Sequence, residues 1–188
     1  VAWVGILALI ALAGLWLAIH LGAPGGWWPL LPAAVAGGIF AWCDGRNAAR
    51  EGMAELAGTV AFGILPAAFY ALAGGSLAGA LALAGIMLIR SVPTILTVRT
   101  FLRIRKGRTF STAPALATAA AGVLLACWLA ALGFAPWAAL LFAVALAART
   151  VWLLCWQPRL TAKTLGVIEL ILGVLMVLTL ALAWHHPG

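Results

Sequence analysis

Charge is what this sequence has least of. Only 8% of its 188 residues are Asp, Glu, Lys or Arg, and the acids number four, where an ordinary soluble domain is about a quarter charged. With 66% of the residues hydrophobic, one modest core has no room for so many apolar side chains. These proportions exclude a soluble globular enzyme and make lipid the solvent for most of the chain. Cysteine is equally sparse. Cys43, Cys127 and Cys155 are widely spaced in or beside apolar runs, a pattern that yields neither a disulfide framework nor zinc-type spacing. They read as small apolar packing. Histidine is confined to His20, His185 and His186, on the side opposite the charged residues, and no Gly-x-Ser-x-Gly elbow is present. Nucleophilic catalysis therefore has no support, and no metal is assigned to these histidines.

What is abundant is uninterrupted apolar sequence. The stretches Val1 to Cys43, Leu56 to Ile89 and Thr109 to Ala148 contain no charged residue. Each is too long for a single crossing of about 20 residues, and each has a breaker near its middle: Gly22 to Gly26 around Pro24, Gly74-Gly75-Ser76, and Gly133 to Pro136. Each therefore reads as a helical hairpin, and the run Thr164 to Trp184, interrupted only by Glu169, adds a further helix. The expected fold is an all-α polytopic transmembrane bundle, one domain over residues 1–188. Its seven helices run from Ala2 to Leu21, Leu30 to Cys43, Glu55 to Ala73, Leu77 to Val98, Ala113 to Leu132, Pro136 to Trp156 and Thr164 to Trp184. The second is short. Continuous apolar runs favour helices over barrel strands, which alternate from residue to residue. Val1 opens an apolar helix without a basic segment before it or a cleavage site after it, so a signal peptide is not expected and further sequence is expected ahead of Val1.

The basic residues fall in alternate connections. Arg46 and Arg50 lie between helices two and three. Arg99, Arg103, Arg105, Lys106 and Arg108 lie between four and five, and Arg159 and Lys163 between six and seven. The opposite turns have no Lys or Arg. By the positive-inside rule the basic side is cytoplasmic, which puts the Val1 end inside and Gly188 outside. A formal charge of +7 then records topology and contact with anionic lipid; no nucleic-acid-binding module is visible. Trp27, Trp28, Trp137 and Trp184 at the outer ends and Trp42 and Trp156 at the inner ends fit an interfacial belt.

Three charges remain inside the expected helices: Arg90, Arg149 and Glu169. Each costs about 2.5–3.5 kcal/mol on insertion scales, so each is expected to face a cavity or a partner. Counted from the helix ends they reach similar depth, which predicts one polar cavity open to the cytoplasm, with Glu169 paired to one arginine. The alternative is an ion pair that locks the bundle without a ligand. Arg90, Thr94 and Thr97 share a helical face beneath Phe101, beside a kink at Pro93. That combination reads either as an anionic headgroup site or as a proline kink whose hydroxyls satisfy local carbonyls. The run from Arg99 through Arg103 to Arg108 is a candidate amphipathic cap in the headgroup layer, or a topology signal alone. Between residues 44 and 55, Asp44 is expected to pair with Arg46, and Arg50 with Glu51 and Glu55, in a short inner helix. Those pairings argue against magnesium there.

The segments Arg90-Ser91-Val92-Pro93-Thr94-Ile95-Leu96-Thr97-Val98-Arg99 and Arg50 to Gly58 (Arg-Glu-Gly-Met-Ala-Glu-Leu-Ala-Gly) resemble the YwiC-like family of bacterial membrane proteins, which is distantly similar to the UbiA-type intramembrane prenyltransferases. The resemblance implies a UbiA-like bundle with two more helices ahead of Val1, nine in all. It also aligns the Arg99 to Thr112 connection with the loop that carries an aspartate-rich, magnesium-binding motif in true prenyltransferases. Here that loop has five basic residues and no Asp, so no magnesium or other cofactor is expected and catalysis is not implied. The expected function is binding of an isoprenoid or other anionic lipid by Arg90, Thr94, Thr97, Arg99, Arg103, Arg149 and Glu169. The competing expectation is an accessory subunit of a larger membrane complex, since abundant Ala and Gly permit close helix contacts with protein partners.

Overall fold

A computed structural model describes residues 2–48 and 51–184. Among these residues there are seven α-helices: α1 Ala2–Leu21, α2 Leu30–Gly45, α3 Gly52–Leu72, α4 Leu77–Arg105, α5 Ala113–Ala131, α6 Trp137–Val151 and α7 Ala162–Ala183. The last turn of α6 widens into a π-helix over Trp152–Trp156 and ends where Gln157 takes a left-handed conformation (φ 45°). No strand occurs among the described residues. Gly52–Leu72, Leu77–Arg105, Ala113–Ala131, Trp137–Cys155 and Ala162–Ala183 are long and apolar enough to cross a membrane, and Leu9–Leu21 and Leu30–Gly45 are shorter apolar helices. The chain is a polytopic helical membrane protein with the seven helices expected, five of which, among the described residues, are long and apolar enough to cross a membrane.

The helices pack as an antiparallel series. α3 lies against α2 and α4, α5 against α4 and α6, and α7 meets α6. Buried positions are mostly small: Ala54, Ala57, Gly63, Ala67, Ala68 and Ala71 on α3, and Ala115, Ala119, Gly122 and Ala126 on α5. Lipid is as apolar as leucine, so side-chain hydrophobicity does not drive one helix onto another; close backbone approach does. The large apolar side chains point outward accordingly, among them Phe62, Leu124, Leu141, Leu170 and Leu182.

The principal departure from the sequence reading concerns α4. It does not stop at Val98 but continues to Arg105, so Arg99 and Arg103 sit on its last turns and not in a loop or a separate cap. It closes at Gly107 (φ 71°), where Arg108 N donates to Arg103 O at 3.2 Å and Gly107 N to Ile104 O at 2.9 Å. This is the paired C-terminal closure that a left-handed glycine permits. The helix has 29 residues, and Arg90 is near its midpoint, about 22 Å of helical rise from Arg105. The end-counting that placed Arg90 two turns below the basic surface assumed too short a helix. Pro93 is buried within a continuous α4, and Gly122 of α5 packs against Ile89 at that level.

Candidate functional site

The three intramembrane charges meet. Arg149 Nη1 forms an ion pair with Glu169 Oε1, and Arg90 Nη2 donates to the main-chain oxygen of Glu169 at 3.3 Å. Arg90 and Arg149 repel each other across this contact. Arg149 is nearly buried, and its Nε and Nη2 have no hydrogen-bond partner among the described residues. Two guanidiniums thus meet at one residue, Arg149 on its carboxylate and Arg90 on its carbonyl, and the cluster of two arginines and one glutamate carries a net positive charge within the span. Gly173, one turn beyond Glu169, makes the arrangement possible. A Cβ there would lie 2.8 Å from Arg90 Cζ, inside contact distance.

Of the three charges, Arg90 borders an open trough. A trough between α3 and α4, of about 550 Å3, is lined by Arg90 and Thr94 with Glu55, Thr59, Met87 and Ser91. Arg149 and Glu169 stand behind Arg90, outside that lining. Thr97 is also outside it, contrary to the expectation from the helical face. It is fully buried, with its hydroxyl 3.1 Å from Thr150 Oγ1. Thr150 gives its own proton to Leu146 O at 3.0 Å, so Thr97 is the donor in that pair. What keeps Thr97 out of the trough is its packing partner: the contact with Thr150 of α6 closes over its side chain.

The basic end of α4 forms a second cavity of about 260 Å3, lined by Glu55, Ile95, Val98, Arg99, Leu102, Arg103, Lys106 and Arg108. Glu55, Ile95 and Val98 also line the trough, so the two adjoin. Arg99 forms an ion pair with Glu55 across α3 and α4, a partner that the sequence reading did not name. Arg50 itself lies outside the described residues, as do His185 and His186. Arg46 stacks on the Trp42 ring at 3.9 Å, and no Asp44 to Arg46 ion pair occurs among the described residues. Arg103 stands over the Phe110 ring at 4.6 Å. Arg105 donates to Leu160 O and so ties the end of α4 to the segment before α7.

The trough's donors can be counted. Thr59 Oγ1 donates to Glu55 O at 2.7 Å and Ser91 Oγ to Met87 O at 2.7 Å, each back to its own helix. Thr94 is half-buried, lines the trough and has no hydrogen bond among the described residues. It lies one turn from Arg90 on the same face. The guanidinium and this hydroxyl supply donors and no acceptor charge, which suits an oxyanion. No group of three or more His, Cys, Asp or Glu converges among the described residues.

Sequence reasoning overlooked Glu55 as a trough residue, and with it Thr59, Met87, Thr150 and Gly173. A signal existed for some of these. Glu55 and Thr59 are one helical turn apart, as are Glu169 and Gly173, and a glycine one turn from an intramembrane acid marks room for a neighbouring side chain. Comparison with protein-family models, curated proteins and solved structures gives no significant match.

Proposed function

We propose that this membrane protein binds an anionic amphiphile, an isoprenoid or other anionic lipid, in the trough between α3 and α4. The observation that carries the reading is the position of Arg90, a guanidinium near the middle of a spanning helix, with the Thr94 hydroxyl, which has no hydrogen bond among the described residues, beside it and a cationic mouth adjoining. An unneutralised guanidinium at that depth is costly, and an anion in the trough offsets the cost. Arg99, Arg103, Lys106 and Arg108 raise the local concentration of anionic headgroups at the mouth. Under the positive-inside rule that mouth opens to the cytoplasm of a bacterial cell. A YwiC-like, UbiA-like architecture accommodates such a site, and the residues supply binding chemistry with no step of catalysis attached.

The test is titration of the purified full chain with dodecyl phosphate and with dodecyl maltoside, read by native mass spectrometry. The phosphate binds more tightly, and Arg90→Gln removes about tenfold of its affinity, the worth of one charge-assisted hydrogen bond. Equal affinity for the two amphiphiles refutes the reading.

A second reading, an accessory subunit, is favoured by α1. Every described side chain from Leu9 to Leu21 except Ala18 is exposed, so α1 offers a full circumference to another helix. Purification in a gentle detergent separates the two: a stoichiometric protein partner on α1 supports the subunit, and a lone protein carrying anionic lipid supports the binder.

A further inference from the structure

A third cavity continues the line of the other two. It has a volume of about 270 Å3 and is lined by Pro66, Tyr70, Leu83, Met87, Val177, Leu180, Ala181 and Trp184. Met87 belongs to this cavity and to the trough. From Leu83 to Lys106 one face of α4 therefore borders three successive compartments over about 35 Å of rise, slightly more than the hydrocarbon thickness of about 30 Å. Their chemistry changes in order. The first is cationic, the second has hydroxyls and ends at Arg90, and the third is apolar apart from the Tyr70 hydroxyl.

We propose that this furrow holds a single-chain anionic amphiphile, its oxyanion head on Arg90 and Thr94 and its chain past Met87 in the apolar cavity beside Trp184. The proposal rests on the anion reading of the trough and adds the orientation and the chain number of the ligand. The head is fixed by the donor count. Thr59 and Ser91 spend their protons on their own helices, Glu169 gives its carboxylate to Arg149, and Arg90 keeps donors and a charge that no side chain neutralises among the described residues. Glu55 also borders the trough but is held by Arg99, which removes most of its repulsion of an incoming anion.

The chain direction follows from the third cavity. A charged head there would lose its water without gaining a partner, whereas methylene groups lose nothing. Its volume of about 270 Å3 is just under the range of about 300–1,000 Å3 typical of drug-sized ligands, a size that suits one chain. Met87 at the junction is unbranched and adaptable, suited to let a chain pass. Gly173 acts as a positioning residue: any side chain there would push the Arg90 guanidinium from the Glu169 carbonyl and out of the head site.

The experiment uses the purified full chain with hexyl phosphate, dodecyl phosphate, dioleoyl phosphatidic acid and dodecyl maltoside, read by native mass spectrometry. Dodecyl phosphate is expected to bind at least about tenfold more tightly than hexyl phosphate, since each buried methylene adds to affinity, and more tightly than the two-chain lipid. Ala181→Trp fills the third cavity from an exposed position, so folding is spared. It should bring dodecyl phosphate down to the hexyl level and leave hexyl phosphate unchanged. Gly173→Ala should lower the preference for dodecyl phosphate over dodecyl maltoside and leave maltoside binding and thermal stability unchanged, a pattern that a purely structural glycine does not produce. Affinity independent of chain length, indifference to Ala181→Trp, or equal binding of dioleoyl phosphatidic acid overturns the proposal while the anion reading stands. Failure of every phosphate to outbind the maltoside overturns both.

Discussion

Helices α1 and α4 are both apolar in sequence and occupy opposite positions in the molecule. α4 packs against α3, α5 and α6 and buries Ala80, Ala82, Ile86, Ile89, Pro93, Thr97, Thr100 and Phe101. α1 exposes Leu9, Ile10, Leu12, Leu15, Trp16, Leu17, Ile19 and Leu21. It is tied to the rest chiefly at its end, where Ala23 N donates to Leu72 O at 2.8 Å and Gly22 and Gly26 press on α3. Hydrophobicity is thus no guide to burial here. In lipid an exposed leucine costs nothing, and a helix becomes central by small residues that admit a neighbour and by polar groups that need one. Small residues alone do not separate the two, since Leu9–Leu21 has Ala11, Ala13, Gly14 and Ala18 as α4 has Ala80 and Gly85; the polar groups do, Arg90, Ser91 and Thr97 on α4 against His20 alone between Leu9 and Leu21.

The comparison can be broken most forcefully at the buried ion pair that backs α4. Replacing Glu169 with Leu leaves Arg149 charged, buried and without its partner, and should cost about 3–5 kcal/mol. The loss is measured as a fall in the denaturant or thermal midpoint of the purified protein in detergent. No single substitution in the described part of α1 should approach it. Next in size, Ile86→Ala removes a side chain that is 1% exposed and should cost about 2–4 kcal/mol. Leu9→Ala removes one that is 68% exposed and should change stability by less than about 0.5 kcal/mol. Equal effects for the two would mean that α1 is packed as α4 is. The smallest effect belongs to the hydroxyl pair. Thr97→Val should cost about 0.6 kcal/mol, the average for an interhelical hydrogen bond in a membrane. Thr97→Val combined with Thr150→Val should cost less than the sum of the single changes, as a double-mutant cycle will reveal.

Much of the fold was legible because the rules that write it are local. The breakers at Gly74 and Gly133 end α3 and α5 in left-handed conformations (φ 87° and 75°), and the absence of charge over long runs left helices in lipid as the only economical structure. The end of α4 was not legible. Arg99 to Arg105 reads as a polar loop, yet arginine is a good helix former, and Glu55, Phe110 and the Leu160 carbonyl give the cations partners along the helix. The depth of Arg90 was misjudged with it. The pairing of Glu55 with Arg99 was not legible either, because it depends on how α3 and α4 lie, and no local pattern encodes that.

By itself the sequence determined that this chain lives in a bilayer, that it is helical, which ends of its helices carry the basic residues, and that Arg90, Arg149 and Glu169 are costly enough to need partners. Only the tertiary structure decided that Glu169 pairs with Arg149, that Arg90 bends over Gly173 to the Glu169 carbonyl and borders the trough, and that Thr97 turns away to Thr150. The reason is one of range. Hydropathy and helix termination are settled within a turn or two of chain, whereas the partner of a buried charge is chosen by which helices come within a few ångströms of it.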